Sequence, residues 1–293
     1  MGVVNKTIRT SHGEIALCET SGAGIPVLLI HGNSSCKEVF SGQLESELGE
    51  AYRLIAIDLP GHGASADAAD PARSYSIPGY ASLAVEVLEQ LKISEVVVFG
   101  WSLGGHIAIE MMPLFPGMIG LAIAGAPPVR QDMDSILLGF QPSPELMLAG
   151  KDDFTEEDYA AFANLTVSEI DDPRLTQAIR RTHGIARSTM FQSLMAGQAS
   201  DERALVETAA IPVAIINGEK DKLANLDYIG SLSVENLWNQ HKYILRGLGH
   251  VAFREAPEIF NPVFSAFLAD VVAHTATREQ RQGASRRSKM HAA

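Results

Sequence analysis

One serine stands where nucleophilic chemistry is expected. Ser102 is the centre of a G-W-S-L-G sequence at 100–104, between an apolar run at 96–99 and a helical pattern that begins at Leu103. A G-x-S-x-G in this position predicts a tight strand-to-helix turn that exposes the serine, and the glycines give that turn its clearance. The N-terminus of the helix also favours negative charge beside the serine. The motif therefore predicts Ser102 as a nucleophile that attacks a carbonyl carbon.

A serine nucleophile needs a base and an acid. Among the histidines, His250 fits the base best, because it follows a predicted strand at 242–245 in the sequence G-L-G-H. The acid is expected in the loop after the preceding strand, where I-I-N-G-E-K-D at 215–221 offers two carboxylates. The G-x-x-D spacing favours Asp221, and Glu219 remains the alternative. The role of the acid is to orient the imidazole and to stabilise its protonated form.

The negative charge that develops on the carbonyl oxygen needs backbone N–H donors. Leu103, directly after the serine, is expected to supply one, and Asn33, in H-G-N at 31–33 after an apolar run, is expected to supply the other. The D-L-P-G-H-G loop at 58–63 is expected to support the H-G-N loop. Neither H-E-x-x-H nor H-x-H-x-D-H occurs in the sequence, so the predicted hydrolysis uses no metal and no other cofactor.

Short apolar runs alternate with helical patterns along most of the chain. After a predicted hairpin at 4–19, runs typical of strands buried on both faces occur at 27–30, 54–57, 96–99, 121–124, 212–216 and 242–245. Apolar faces with helical spacing predict a helix over 80–91 and a closing helix over 260–272. This alternation predicts an α/β fold with a mostly parallel, twisted sheet and helices on both faces.

Two segments depart from the alternation. Residues 129–206 contain helical patterns, many Met and Phe residues and no typical buried strand. They are predicted to form a helical cap inserted into a core made of 1–128 and 207–275. Residues 276–293 carry five basic side chains, one acidic side chain and few apolar ones. That composition predicts a disordered basic tail.

The formal net charge of −12 argues against nucleic acid as a partner, because phosphate binding needs a basic surface. The N-terminus lacks the signal-peptide pattern, and no apolar run reaches the ~18 residues that span a membrane. We therefore expect a cytoplasmic protein with a small-molecule substrate and no membrane partner. Cys18 and Cys36 fit no metal or redox spacing and are expected to be free thiols. The composition leaves the oligomeric state open.

Together, these motifs resemble those of the α/β-hydrolase superfamily of serine hydrolases over residues 25–267. A closer resemblance, to metal-independent N-acyl-homoserine lactonases, is carried by H-G-N-S-S at 31–35, S-Y-S at 74–76, F-G-W-S-L-G-G-H-I at 99–107 and F-R-E-A-P at 253–257. The resemblance implies the α/β-hydrolase fold, a triad of Ser102, Asp221 and His250, and a place beside the substrate for Asn33. The family's cap tyrosine falls at Phe162, and Tyr159 is the available substitute one helical turn earlier.

The resemblance implies that the chain opens the lactone ring of bacterial quorum-sensing signals (quorum quenching) and hydrolyses simple esters through an acyl-enzyme on Ser102. The acyl chain is expected to lie between cap and sheet, against Trp101, Phe140, Met147, Phe154, Tyr159, Phe162 and Met190. The main alternative is a general carboxylesterase for short acyl esters. A perhydrolase, or a non-catalytic signal receptor on the same fold, ranks below it.

Overall fold

The computed structural model describes residues 2–167 and 170–290, with side chains up to residue 276. The strands are β1 (Val4–Thr10), β2 (Gly13–Glu19), β3 (Gly24–Ile30), β4 (Tyr52–Ile57), β5 (Val96–Trp101), β6 (Met118–Ala124), β7 (Val213–Gly218) and β8 (Tyr243–Leu245). They form one sheet in the order β1-β2-β4-β3-β5-β6-β7-β8. The first two strands are an antiparallel hairpin, β2 pairs antiparallel with β4, and β3 to β8 run parallel. The predicted α/β fold is confirmed.

The helices cover the sheet and fill the segment between β6 and β7. They are α1 (Ser41–Leu44), α2 (Glu47–Ala51), α3 (Pro71–Ser74), α4 (Ile77–Gln90), α5 (Leu103–Glu110), α6 (Met133–Gly139), α7 (Glu156–Thr166), α8 (Pro173–Arg181), α9 (Gly184–Met195), α10 (Glu202–Glu207), α11 (Leu226–Gly230), α12 (Ala252–Glu255) and α13 (Pro257–Met290). Three 3₁₀ helices occur at Lys37–Phe40, Pro144–Gly150 and Trp238–Gln240.

Strand β5 lies at the centre of the parallel sheet, and its six residues are buried. It pairs with β3 on one side and with β6 on the other. Because parallel strands end at the same edge, the loops after β3, β5, β6, β7 and β8 meet at the carboxyl edge of the sheet. The residues predicted to carry the chemistry all follow these strands.

Helices α4 and α13 pack their apolar faces against the sheet, as the apolar spacing in the sequence predicts. Helix α4 begins at the N-cap Ser76, whose side chain accepts a hydrogen bond from the backbone N–H of Gly79. Helix α13 turns a row of phenylalanines inward, and Phe260 and Phe264 lie 5.4 Å and 5.1 Å from the ring of Phe99 in β5. The two faces therefore hold the central strand between them.

Between β6 and β7 the chain forms α6 to α10 and the 3₁₀ helix at Pro144–Gly150. These elements occupy the segment predicted to be a cap. The division into core and cap at residues 129 and 206 stays a prediction.

The prediction of a disordered tail from residue 276 is wrong for the backbone as far as Met290, because α13 continues to that residue. Its remaining predicted residues, 291–293, lie outside the described part of the chain. Alanine, arginine, glutamate, glutamine and lysine are good helix formers, and a helix that is already nucleated extends at little cost. Low apolar content therefore predicted the lack of a core, but not the lack of a helix.

One part of α13, Pro257–Ala276, is long and apolar enough by length and composition to cross a membrane. Part of its hydropathy comes from side chains that belong to the core of the described protein. Phe260, Phe264, Phe267 and Val271 are fully buried against the rest of the protein. Cys18 and Cys36 are both buried and free, as predicted.

Candidate active site

The predicted nucleophile lies at the turn between β5 and α5. Ser102 has a φ of 53°, a conformation that residues other than glycine rarely adopt. A Cβ on Gly100 would lie 2.1 Å from the carbonyl oxygen of Gly104, and a Cβ on Gly104 would lie 2.0 Å from that of Ile30. Only glycine fits at these two positions. The turn thus presents Ser102 at the carboxyl edge of the sheet and at the N-terminus of α5.

His250 and Asp221 form a buried hydrogen-bonded pair. Nδ1 of His250 lies 3.0 Å from Oδ1 and 2.9 Å from Oδ2 of Asp221. Because an ionised carboxylate only accepts hydrogen bonds, Nδ1 carries the proton and Nε2 can accept another. Nε2 is buried and has no hydrogen-bond partner in the described part of the chain. It is therefore available to take the proton of a serine.

The surroundings of Asp221 keep it charged. Its Oδ1 also accepts hydrogen bonds from the backbone N–H groups of Leu223 and Ala224, at 2.8 Å and 3.0 Å. Burial by itself raises the pKa of Asp221, but the charge of His250 and the hydrogen bonds to the carboxylate outweigh burial and hold the pKa below its ordinary value. An ionised Asp221 can stabilise a protonated His250.

Glu219, the alternative acid, lies elsewhere. Its side chain is exposed, and its Oε2 accepts a hydrogen bond from the backbone N–H of Gly247 at 2.9 Å. Glu219 therefore stabilises the loop before His250 through a hydrogen bond at the protein surface. The structure brings Asp221, and not Glu219, to the imidazole.

Two neighbours confine the His250 ring. Nε1 of Trp101 donates a hydrogen bond to the backbone carbonyl of His250 at 2.9 Å, and the two rings lie 5.4 Å apart. On the other side, Gly125 has a φ of 61°, and a Cβ there would lie 2.6 Å from Cε1 of His250. The imidazole thus fits a space that one additional carbon would fill.

The loop at 31–33 lies directly against the serine. A Cβ on Gly32 would lie 3.0 Å from Cβ of Ser102 and 2.9 Å from the ring of Trp101. The N–H of Leu103, in the first turn of α5, lacks a partner within its helix. Nδ2 of Asn33 donates to the backbone carbonyl of Ala149 at 2.9 Å. Asn33 therefore connects this loop to the segment between β6 and β7.

The D-L-P-G-H-G loop holds the H-G-N loop from behind. The backbone N–H of Leu59 donates to Nε2 of His31 at 3.0 Å, and Nδ1 of His31 lies 2.8 Å from the carbonyl oxygen of Gly32. Burial lowers the pKa of His31 to about 4, so the ring is neutral at neutral pH and Nε2 can accept. Asp58, fully buried, accepts hydrogen bonds from the backbone N–H and Nζ of Lys37, both at 2.7 Å.

A cavity of about 170 Å³ opens beside Ser102. Six of the predicted substrate-contacting residues line it, together with the nucleophile and Leu103: Asn33, Trp101, Phe140, Met147, Phe162 and Met190. Further apolar side chains from α6, α9 and the 3₁₀ helix at Pro144–Gly150 complete the wall, among them Leu146 and Leu194. The cavity is suited to an aliphatic chain.

Phe154 and Tyr159 do not line this cavity, so the structure does not bring them together with the other predicted substrate-contacting residues. They line a separate surface cleft, where the guanidinium of Arg187 lies 4.0 Å from the Phe154 ring centre and that of Arg180 lies 4.5 Å from the Tyr159 ring centre. Phe154 also packs against Phe162, 5.6 Å away. On α7 the side chain of Phe162 lines the cavity beside Ser102. Tyr159, three residues earlier, packs against Arg180 outside that cavity.

Two polar residues of the cavity, His106 and Thr166, are not predicted from the sequence. His106 lines the cavity, and its Nδ1 lies 2.8 Å from Oε2 of Glu202. The available signal was its spacing, because residues four apart on a helix share a face and His106 follows Ser102 by four. In the ranges whose side chains are described, 2–167 and 170–276, no three His, Cys, Asp or Glu side chains cluster in a way that could hold a metal ion.

Comparison with known proteins gives this constellation a context. A family model described as the alpha/beta hydrolase family matches residues 27–263. The chain is similar to a mutant of the N-acyl homoserine lactonase AidH complexed with N-hexanoyl homoserine lactone, with 42% identity and a TM-score of 0.89 over 92% of this chain and 98% of that chain. An esterase from Exiguobacterium antarcticum has a TM-score of 0.74 at 22% identity over 91% of this chain and 100% of its own, a likeness of fold alone.

Curated relatives differ in how much of their length matches. The pimeloyl-acyl-carrier protein methyl ester esterase of Nitrosomonas europaea is 29% identical over 262 residues, which cover 85% of this chain and 97% of that protein. An uncharacterized protein of Mycobacterium tuberculosis is 33% identical over 129 residues, which are 44% of this chain and 37% of that protein. The chain thus matches little more than a third of the length of the mycobacterial relative.

Proposed function

Because this chain belongs to the alpha/beta hydrolase family, we propose that it is a serine hydrolase of carboxylic esters and lactones. The observation that carries the proposal is that Ser102, on a strained turn, directly follows Trp101, whose ring lies 5.4 Å from the ring of His250 in its buried pair with Asp221. A nucleophile, a base and an oriented acid are the parts that acyl transfer through a serine requires.

The reaction proceeds in two steps. Nε2 of His250 takes the proton of Ser102 while the serine oxygen bonds to the carbonyl carbon, and Asp221 stabilises the imidazolium that forms. The tetrahedral intermediate collapses when its alkoxy oxygen leaves and accepts the proton from His250. A lactone thereby opens, with its alcohol still attached to the acyl group on Ser102. In the second step His250 takes a proton from water, whose oxygen bonds to the acyl carbon. The bond between the acyl carbon and the Ser102 oxygen then breaks, His250 returns the proton to Ser102, and the acid leaves.

The oxyanion of each intermediate needs stabilisation by donors that are already in place. The backbone N–H groups of Leu103 and Asn33 are proposed to supply it. Leu103 begins α5, where partial positive charge favours an anion, and Gly32 brings the second loop into contact with Ser102. Both donors are held by backbone structure, so they need no rearrangement when charge develops.

The proposed substrates are N-acyl-homoserine lactones, with quorum quenching as the biological consequence. Two features support this choice. The cavity beside Ser102 has a volume of about 170 Å³ and a mostly apolar lining suited to an acyl chain. The protein is also 42% identical to a lactonase complexed with N-hexanoyl homoserine lactone. Phe162 stands in the cavity wall where the family has a tyrosine, which leaves a general carboxylesterase as the second candidate.

The experiment compares ring opening of N-butanoyl-, N-hexanoyl- and N-decanoyl-homoserine lactone with hydrolysis of p-nitrophenyl butyrate, in the presence of EDTA. The variants are Ser102→Ala and, as a matched control, Ser233→Ala, which alters an exposed serine remote from the cavity. We expect lactone opening in the wild type and in Ser233→Ala, and its loss in Ser102→Ala.

Ester cleavage with negligible lactone opening would instead assign the chain to the carboxylesterases. Full activity in Ser102→Ala would refute the proposed nucleophile. Loss of activity with EDTA would show that a metal takes part.

A further inference from the structure

The cavity beside Ser102 is called the acyl cavity from here on. Among its described polar side chains, one besides the nucleophile has a hydrogen-bonding atom without a partner in the protein. Four polar side chains line the cavity: Asn33, Ser102, His106 and Thr166. Asn33 donates to the carbonyl of Ala149, and the Thr166 hydroxyl donates to the carbonyl of Phe162 at 2.7 Å. His106 is bonded through one ring nitrogen alone, so its second nitrogen is left for a ligand.

Glu202 determines which nitrogen that is. Nδ1 of His106 lies 2.8 Å from Oε2 of Glu202, and both side chains are buried. Because a carboxylate oxygen accepts hydrogen bonds, Nδ1 is the donor of this pair, and the tautomer that donates from Nδ1 leaves Nε2 as an acceptor. Over residues 2–167 and 170–276, no hydrogen bond joins Nε2 to the protein. Because His106 lines the cavity, Nε2 is free to accept a hydrogen bond from a donor on a ligand.

The ring is held firmly in this orientation. Oε2 of Glu202 also accepts a hydrogen bond from the backbone N–H of Val129 at 3.2 Å, and the Glu202 N–H donates to the Val129 carbonyl at 3.1 Å. Phe140 packs beside the imidazole, with ring centres 5.8 Å apart. The imidazole therefore presents a fixed acceptor rather than a mobile one.

The separation of Ser102 and His106 along α5 can be compared with the length of the proposed substrate. His106 follows Ser102 by four residues, a rise of roughly 6 Å along α5. In an N-acyl-homoserine lactone, five bonds separate the lactone carbonyl carbon from the third carbon of the acyl chain, and an extended chain of that length spans about 6 Å. The third carbon thus lies about as far from the lactone carbonyl as His106 lies from Ser102 along α5, and both residues line the same cavity.

We propose that His106 is a specificity-determining residue that accepts a hydrogen bond from a hydroxyl group on the third carbon of the acyl chain. The inference rests on the proposed function and narrows its substrate to 3-hydroxyacyl lactones. Because the acceptor is fixed, one enantiomer of the hydroxyl is favoured over the other. A 3-oxo group, which cannot donate, gains nothing from His106.

The test compares kcat/KM for N-hexanoyl-homoserine lactone, its 3-oxo form and each enantiomer of its 3-hydroxy form. The variant is His106→Asn, whose shorter amide can still donate to Glu202 but has no atom in the place of Nε2. In the wild type one 3-hydroxy enantiomer is the preferred substrate. In His106→Asn we expect the ratio of kcat/KM for that enantiomer to kcat/KM for the unsubstituted lactone to fall about five- to tenfold, the value of one hydrogen bond.

Equal losses for all four substrates would show that His106 is only structural and would overturn the inference. A 3-oxo preference would also overturn it. A wild type that opens none of the lactones would refute the proposed function first, which is a different result.

A second measurement avoids dependence on the folding of His106→Asn. In Ser102→Ala, which binds without turnover, the ¹⁵N resonance of His106 Nε2 is expected to shift on addition of the preferred 3-hydroxy lactone and to stay in place with the unsubstituted one. Equal shifts with both ligands would contradict the proposal.

Discussion

Asp221 holds His250 through both carboxylate oxygens, which lie 3.0 Å and 2.9 Å from Nδ1. The same carboxylate is fixed by the N–H groups of Leu223 and Ala224, so the orientation of the imidazole is ultimately set by the backbone after β7. This relationship makes the identity of the triad acid a question that mutation can answer.

Asp221→Asn is expected to lower kcat for p-nitrophenyl butyrate by about 10³- to 10⁴-fold, because an amide can favour the wrong tautomer of His250 and cannot balance its charge. Glu219→Gln is the control. It keeps an acceptor for the N–H of Gly247, and its activity is expected to stay within threefold of the wild type. Steady-state kinetics of both variants decide the matter, and the reverse order of effects would assign the acid to Glu219.

The structure places Ser102 and His250 in the loops where the sequence predicts them, because each residue is marked by local spacing. Ser102 stands in a glycine motif whose close contacts are backbone requirements, and His250 follows a strand in a glycine-rich loop. The choice between Asp221 and Glu219 was harder, since both lie in one loop. Only the path of the backbone decides which carboxylate turns inward.

The cavity was predicted less well because helix packing determines which face of a helix points inward. Phe154 and Tyr159 are aromatic, yet both lie in the surface cleft outside the cavity. There Phe154 packs against Arg187 and Tyr159 packs against Arg180. The sequence does not predict His106 as a cavity residue, because its partner Glu202 is distant in sequence. The two meet only when α10 packs beside α5. The tail followed helix propensity rather than apolar content.

The close fit of His250 against Gly125 leads to a second prediction. In Gly125→Ala the new Cβ would lie 2.6 Å from Cε1 of His250, so the imidazole must move. We expect kcat to fall by about 10²-fold or more, since displacement of a catalytic group by an ångström has an effect of that size. Kinetics and a thermal melt are measured together, because alanine at positive φ also costs stability.

The control for Gly125→Ala is Gly13→Ala. Gly13 has a φ of 127° in the turn between β1 and β2, and a Cβ there would make only an ordinary contact, 3.8 Å from Ala66. This variant carries backbone strain without a collision at the site. If it lost as much activity as Gly125→Ala, strain rather than displacement of His250 would be the cause.

The third prediction concerns pH and the contact between α8 and α12. Oδ2 of Asp172 accepts hydrogen bonds from Arg174 at 2.7 Å and from Arg254 at 2.8 Å. Chiefly through the hydrogen bonds from Arg174, and despite partial burial, the pKa of Asp172 lies well below its ordinary value. Because the pKa is lower in the folded protein than in the unfolded chain, the carboxylate contributes stability above the unfolded pKa of about 4. That contribution disappears as the pH falls through the folded pKa.

Asp172→Asn tests this contribution, since asparagine caps the N-terminus of α8 as well as aspartate does and removes only the charge. At pH 7 the melting temperature of the variant is expected to be about 1–3 °C below that of the wild type, a modest value for ion pairs that solvent partly screens. The difference should narrow as the pH falls below about 4, where the carboxylate of the unfolded chain takes up a proton. Asp171→Asn, at an exposed neighbour, serves as the control for net charge. A deficit that stays constant with pH, or an equal one in Asp171→Asn, would mean that the two arginines do not hold Asp172 as a charged pair.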